Sequence, residues 1–196
     1  MKKFIVLVSF MSFGVVFSQA YKGKGDFKTQ VGLDIQKGGT GVSLSTDYGL
    51  NKIFSIGISI DYLFNAKDGR INETKYYIEN PSYDPIIDGV IKLKTSPEFE
   101  DIFDIKARFN ANLNNALELG SKTDIYPGLD LGLKNFGAHL GLRYFFTNKV
   151  GAFVEGGIPI VKFEKDDNRV SSKYYDYYPP NYNNQLVVKV GVVIDL

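Results

Sequence analysis

The sequence predicts an all-β fold, an eight-stranded antiparallel transmembrane up-and-down β-barrel, from three observations. Eight stretches alternate apolar and polar residues, a period that only a strand converts into two opposite faces. Each stretch has about ten residues, which is the strand length of the smallest transmembrane barrels. Both long connections fall on one rim of such a barrel, and the short turns fall on the other.

The alternation runs through most of the chain after residue 26. The third stretch shows it plainly, since Ile56, Ile58 and Ile60 are separated by glycine and serine. The predicted strands are residues 27–36, 41–48, 54–64, 103–113, 124–133, 137–146, 151–160 and 186–196. Pro127 and Pro159 lie inside two of them, and because proline cannot donate a ladder hydrogen bond we expect both at rims or bulges.

The connections between the strands differ in length in a regular way. Those after the second, fourth and sixth strands are short, at residues 50–52, 114–122 and 147–149. Two inserts, residues 65–101 and 162–185, follow the third and seventh strands and are rich in Tyr, Pro, Asn and Asp. Antiparallel strands alternate in direction, so both inserts emerge on the same rim. Their composition is poor strand material, and we interpret them as extracellular loops.

Composition excludes several classes of protein. The 23 Lys and Arg residues nearly balance the 22 Asp and Glu residues, so the chain lacks the basic surface of a nucleic-acid-binding protein. The absence of cysteine excludes disulfides, thiolate metal sites and a cysteine nucleophile. The single histidine, His139, excludes a multi-histidine metal centre. We therefore expect no metal site, no cofactor and no nucleic-acid partner.

The first twenty residues predict a secretory signal peptide. Lys2 and Lys3 precede an uncharged apolar run of about 14 residues, which is shorter than the roughly 20 that a membrane-spanning helix needs. Small or polar residues follow, and cleavage after Gln19 or after Ala20 fits the pattern. Residues 1–20 are thus expected to be removed, leaving residues 21–196 as one barrel domain outside the cytoplasm.

Alternation alone does not say which face points inward, because a soluble β-sandwich or a lipocalin-like barrel also alternates. Nearly all strand glycines lie on the polar face, as a narrow lumen that alternates small and large side chains requires. The polar face also mixes both signs of charge. Aromatic residues on the apolar face form two girdles, Phe27, Tyr48, Phe54, Tyr144 and Phe146 at one rim and Tyr62, Phe64 and Phe103 at the other. These three features favour an apolar face toward lipid.

A polar face inside the barrel predicts a buried network of charged side chains. Its candidate members are Asp34, Asp47, Asp61, Lys106, Arg108, Asp130, His139, Arg143, Glu155 and Lys189. We expect Asp61, on the neighbouring third strand, to be the partner of Arg108, because cross-strand neighbours lie closest. His139 is the one catalytic candidate, but its position among lumen glycines favours a structural role, and no catalytic residue is predicted.

The second insert carries a cluster of tyrosines that could form a binding surface. Its candidate members are Tyr174, Tyr175, Tyr177, Tyr178 and Tyr182. Tyrosine gives a large contact area at a low entropic cost, which suits a binding loop. Tyrosines that only line the membrane interface would give the same pattern, so both interpretations stand.

Three segments resemble a known family. They are KGKGDFK at residues 22–28, DIKARFNANL at 104–113 and YPGLDLGLKNFG at 126–137. With the signal peptide, they are similar to a small outer-membrane β-barrel family of Gram-negative bacteria, an OmpA/OmpX-like group of unknown function. The resemblance implies the barrel and an outer-membrane location, and no activity. It departs at Leu196, where such barrels usually end in an aromatic residue.

The function expected from these features is that of a structural or surface-interaction outer-membrane protein, not an enzyme. Its partners would be outer-membrane lipids, periplasmic chaperones and the barrel assembly machinery during biogenesis, with an unknown extracellular ligand, and the barrel would be a monomer. Two alternatives are a membrane-embedded hydrolase or acyltransferase, and a soluble secreted barrel or sandwich that binds a ligand. A pore is disfavoured because side chains fill an eight-stranded lumen.

Overall fold

A computed structural model describes residues 20–67, 70–73, 96–163, 171–172, 175–178 and 181–196. Apart from Ala20, the predicted signal peptide lies outside these residues. Eight long strands form the barrel: β1 (Phe27–Gln36), β2 (Gly39–Gly49), β3 (Phe54–Ala66), β5 (Phe103–Ala111), β6 (Thr123–Gly132), β7 (Asn135–Phe145), β8 (Val150–Lys162) and β11 (Val187–Asp195). A single helical turn, α1 (Phe99–Ile102), leads into β5.

The barrel is closed, and each strand pairs antiparallel with its neighbours in chain order. The first and last strands complete the circle, with Lys28 opposite Asp195 at one end and Gln36 opposite Val187 at the other. Closure removes both sheet edges, so every barrel strand has a partner on each side. The predicted eight-stranded antiparallel up-and-down β-barrel is therefore confirmed.

The two inserts contain short strands where only loops were predicted. These strands are β4 (Arg70–Glu73) in the first insert and β9 (Ser171–Ser172) and β10 (Tyr175–Tyr178) in the second. β10 pairs with both of the others, so the two inserts share one small sheet. The prediction counted tyrosine together with Pro, Asn and Asp as poor strand material, whereas tyrosine favours strands and three of the four residues of β10 are tyrosine.

The barrel has two different rims. We call the end that carries both inserts the loop rim, where the tight β1–β2 and β6–β7 connections also lie. The other end, the turn rim, carries the β2–β3, β5–β6 and β7–β8 connections and both ends of the described chain. Pro159 lies beside the register shift in the β7–β8 pairing, and Pro127 lies just beyond the end of the β5–β6 ladder. Both prolines are thus accommodated where strand pairing is irregular.

Strand parity sorts the side chains between the two faces of the barrel wall. Outward-facing apolar residues are about half exposed, as at Val31 (51%), Ile58 (52%) and Leu140 (59%). Inward-facing Asp, Lys, Arg, Asn and Ser residues are almost all buried. Within the described ranges, no helix has both the length and the apolar character needed to span a bilayer.

Candidate functional site

The barrel interior is the most concentrated group of charged side chains in the described structure. All ten predicted lumen residues, Asp34, Asp47, Asp61, Lys106, Arg108, Asp130, His139, Arg143, Glu155 and Lys189, point inward, and nine of them are buried. Asp130 is the exception, with its carboxylate 13% exposed. Burying this many charges is tolerable only when they are paired. The network divides into three clusters along the barrel axis.

The central cluster is built around Arg108 on β5. Its guanidinium donates to the Glu155 carboxylate at 2.6 Å and to the Asp130 carboxylate at 3.2 Å. Asp130 also contacts the Nδ1 atom of His139 at 2.8 Å, and the Nε2 atom of that ring lies 2.8 Å from the Oδ1 atom of Asn110. Four strands therefore meet in one continuous chain of polar contacts.

The predicted pairing of Arg108 with Asp61 is wrong. The β3–β5 register places Gly57 opposite Arg108, whereas the β5–β6 register places Asp130 there. Asp61 lies opposite Asp104, nearer the loop rim, and faces lysine side chains instead. The prediction chose β3, which does pair with β5, but the partners lie on β6 and β8, because strand register decides which side chains lie opposite each other.

The second cluster lies nearer the loop rim and surrounds Asp61. This carboxylate is 2.7 Å from the Lys189 ammonium and 3.5 Å from the Lys106 ammonium, and it accepts a 2.6 Å hydrogen bond from the Ser43 hydroxyl. Lys106 also lies 3.5 Å from Asp104. Two lysines and two carboxylates thus neutralise each other inside the barrel. Asp34 lies outside these pairs and accepts a 3.1 Å hydrogen bond from the Gln36 side chain.

The third cluster, nearer the turn rim, surrounds Arg143. Its guanidinium pairs with the Asp47 carboxylate, donates to the side-chain amide oxygen of Gln30 at 2.9 Å and lies 3.5 Å from Asp124. The Tyr126 ring stacks on it, with 3.7 Å between the guanidinium carbon and the ring centroid. An arginine placed in this way has partners around its edge and on its face.

Two glycines make room for the rings in these clusters. A Cβ atom on Gly141 would overlap the Tyr126 ring, and one on Gly128 would overlap the His139 ring. The expectation that a narrow lumen alternates small and large residues is met at both positions.

His139 is only 5% exposed and has no free ring nitrogen. The Nδ1 atom lies 2.8 Å from the Asp130 carboxylate and the Nε2 atom lies 2.8 Å from the Asn110 side chain, so both nitrogens are engaged in polar contacts. In the described part of the chain, no group of three or more His, Asp and Glu side chains is arranged to hold a metal ion.

The N-terminal segment, residues 20–26, closes the turn rim. Ala20 and Tyr21 are buried, and the Tyr21 hydroxyl lies 2.7 Å from the Phe54 carbonyl and 2.9 Å from the Asn51 carbonyl. The Gly25 N–H donates to the Gly49 carbonyl at 2.8 Å. Burial, aided by nearby carboxylates, raises the pKa of Tyr21 to about 12, so its hydroxyl stays a donor at neutral pH.

Residues 181–185 close the loop rim with side-chain amides. The Asn183 backbone N–H donates to the Gln36 side chain at 2.8 Å, and the Asn135 side chain donates to the Asn183 carbonyl at 2.8 Å. The Gln185 amide donates to Gln36 at 3.0 Å. Beneath this segment lies a cavity of about 20 Å³, room for about one water molecule, lined in part by Lys106 and Lys189. Both ends of the lumen are therefore filled.

The predicted tyrosine cluster is placed only in part. Tyr182 is 4% exposed, and its hydroxyl donates to the Lys67 carbonyl. Its prediction as a member of an exposed binding surface is wrong, because the chain turns inward at residues 181–185 to close the barrel. Three members of the cluster lie in β10, namely Tyr175, Tyr177 and Tyr178. Tyr174 lies outside the described residues.

Sequence reasoning missed several interior residues. Tyr126, Phe145 and Phe153 are buried in the lumen although they are aromatic. Each has the same strand parity as an inward-facing charged residue, namely Asp124, Arg143 and Glu155. Parity was therefore the signal that could have found them, but the predicted lumen network named only charged residues and His139.

The comparisons with known proteins bear on family and not on activity. No curated protein matches this chain. A family described as "Family of unknown function (DUF6646)" matches residues 10–95 and 81–196, two overlapping segments that together include every barrel strand. The chain, a small closed β-barrel, therefore belongs to this family of unknown function.

Proposed function

We propose that this chain is an integral outer-membrane barrel of a Gram-negative bacterium, similar in architecture to the OmpA/OmpX group. Its barrel anchors the protein, and the two inserts at the loop rim act outside the cell as an interaction surface. It works as a monomer among outer-membrane lipids, after delivery by periplasmic chaperones and the barrel assembly machinery.

The observation that carries this proposal is the apolar belt around the barrel. Outward-facing Val, Leu, Ile and aromatic residues of all eight barrel strands are exposed, including Val42, Ile56, Ile105, Leu129, Leu142, Val154 and Val190. Soluble monomers rarely expose a continuous apolar patch larger than a few hundred Å². The barrel strands have 9 to 13 residues, enough to cross a bilayer at the usual tilt.

The interior supports a structural barrel more than a pore. The three charge clusters occupy the lumen, residues 20–26 cover one end and residues 181–185 cover the other. A soluble ligand-binding barrel would instead need an apolar cavity inside, and the interior here is polar. A sandwich does not fit the closed barrel. For an enzyme, both ring nitrogens of His139 are already engaged, so we propose no catalytic role for it.

Fractionation of cells that express the full chain tests the proposal. We expect the protein in the outer-membrane fraction, with a gel mobility that changes on boiling because the folded barrel resists detergent. The chain has no cysteine, so a single cysteine introduced at Lys67 on the loop rim or at Lys52 on the turn rim reports topology unambiguously. Label on intact cells should reach Lys67→Cys and spare Lys52→Cys. A soluble protein without a mobility shift would overturn the membrane assignment, and the reverse labelling would overturn the orientation.

A further inference from the structure

The turn rim carries a ring of four lysines, of which Lys24, Lys52 and Lys149 are exposed and Lys122 is partly exposed. Lys52 lies on the β2–β3 connection, Lys122 at the end of the β5–β6 connection and Lys149 on the β7–β8 connection, and Lys24 lies on the N-terminal segment. Each connection of this rim therefore contributes one lysine, and together they surround the barrel.

These four lysines have no ion-pair partner within the described part of the chain, unlike the other charges nearby. The carboxylates of Asp26 and Asp195 are buried and already bind Lys28 and Lys22, at 2.7 Å in each pair. Among the described side chains of the turn rim, Glu118 is the exposed acidic one. The rim thus presents a positive surface that the protein itself does not neutralise.

Over its described residues, the loop rim carries a different set of exposed charges. Its exposed lysines, Lys37, Lys67 and Lys162, share the rim with exposed Glu98 and Glu100. The positive ring is therefore a property of one end of the barrel and does not follow from the overall composition, which is nearly neutral.

The lysine ring lies directly beside the apolar belt. Leu50, Ile53 and Leu117 are exposed in the same connections, and Phe54 and Tyr144 are exposed one step further along the strands. Aromatic residues of this kind lie at the headgroup level of a bilayer. Lysines just beyond them reach the phosphate layer with their long side chains. This position favours a lipid surface over a soluble acidic protein.

We propose that Lys24, Lys52, Lys122 and Lys149 bind the phosphate groups of anionic glycerophospholipids in the leaflet at the turn rim. The inference rests on the proposed membrane location and adds the lipid class that this end of the barrel selects. A lysine beside an anionic surface adds attraction that salt screens. The ring would fix the depth of the barrel in the bilayer and enrich anionic lipids around it.

A matched pair of triple variants tests the inference. The turn-rim variant carries Lys→Gln changes at Lys52, Lys122 and Lys149, and the control carries them at Lys37, Lys67 and Lys162, so both lose the same charge. Folded protein in detergent is titrated with phosphatidylglycerol and with phosphatidylcholine, and retained lipid is counted by native mass spectrometry. We expect wild type and control to prefer phosphatidylglycerol, and the turn-rim variant to lose about tenfold or more of that preference.

Two further arms define the outcome. Added sodium chloride should weaken the preference for phosphatidylglycerol. Free inorganic phosphate at the same ionic strength should weaken it no more than chloride does, because the lysines bind phosphate groups that belong to a lipid surface. Equal retention by the two variants, or an equal loss in both, would overturn the inference. If the barrel inserts into vesicles but shows no lipid preference, only the proposed lipid binding by the lysine ring is refuted. A chain that never inserts refutes the proposed function.

Discussion

Replacing Arg108 with methionine should destabilise the barrel through the charges that it leaves behind. Glu155 is buried and loses its 2.6 Å partner, whereas Asp130 keeps its 2.8 Å contact with His139. Removing one member of a buried ion pair typically costs about 3 to 5 kcal/mol, and methionine fills much of the arginine volume without supplying a charge. Because one of the two carboxylates retains a partner, we expect about 3 kcal/mol. Urea unfolding from phospholipid vesicles, followed by circular dichroism, measures it.

A double-mutant cycle identifies which carboxylate is responsible. Adding Glu155→Gln to Arg108→Met should restore part of the lost stability, because the unpaired buried charge is then absent. Adding Asp61→Asn should restore none, since Asp61 pairs with lysines in a separate cluster. An unchanged unfolding free energy in Arg108→Met would mean that water fills the lumen and screens these charges, which would refute the packed interior.

Three other predictions test the lipid face, the lumen packing and the N-terminal segment. Ile58→Arg should cost about 2 to 4 kcal/mol of unfolding free energy in vesicles, whereas Leu50→Arg, outward-facing but at the rim, should cost no more than about 1 kcal/mol; equal costs would contradict the assigned depth. Gly141→Ala should cost about 1 to 3 kcal/mol by overpacking against the ring that it faces, while Gly156→Ala, with no atom within 4 Å of its added Cβ, should be close to neutral. The sequence alone favoured removal of residues 1–20, but Ala20 is fully buried with Phe145 and Val193, so the mature protein should retain it; an N-terminal sequence that begins at Tyr21 would refute this.

Much of the fold could be predicted from the sequence because one physical period controls it. Side chains alternate along a strand, so a barrel with an apolar outer face and charges inside has a sequence that alternates in every strand. The strand count, the two faces and the rim of the inserts all follow from that period. The small sheet that joins the inserts did not follow, because its strands are four residues or shorter and the β4–β10 pairing joins two inserts that are far apart in the sequence. A strand of that length carries almost no periodic signal.

The charge network was predictable in membership but not in pairing. Parity alone assigns Asp61, Arg108 and Asp130 to the lumen. Pairing depends on the register between strands and on the reach of each side chain, and Asp61 lies four residues from Gly57, the residue opposite Arg108 on β3. The Arg143 contact with Gln30 crosses the lumen between strands that are not neighbours, so no local pattern contains it.

The segments that close the lumen explain why the interaction surface should lie elsewhere. A lumen that bound or conducted a solute would need polar groups free to contact it, yet the inward side chains of Arg108, Arg143 and Lys189 are already committed to carboxylates. Changing any of them for a new function leaves an uncompensated buried charge and costs stability. Residues 181–185 share this constraint because they close the loop rim, whereas the small sheet of β4, β9 and β10 is separate from the barrel sheet, and loops tolerate change. Selection for a new partner can therefore change the loop rim while the barrel stays the same. The proposed surface-interaction function requires this separation between a constant barrel and a variable rim.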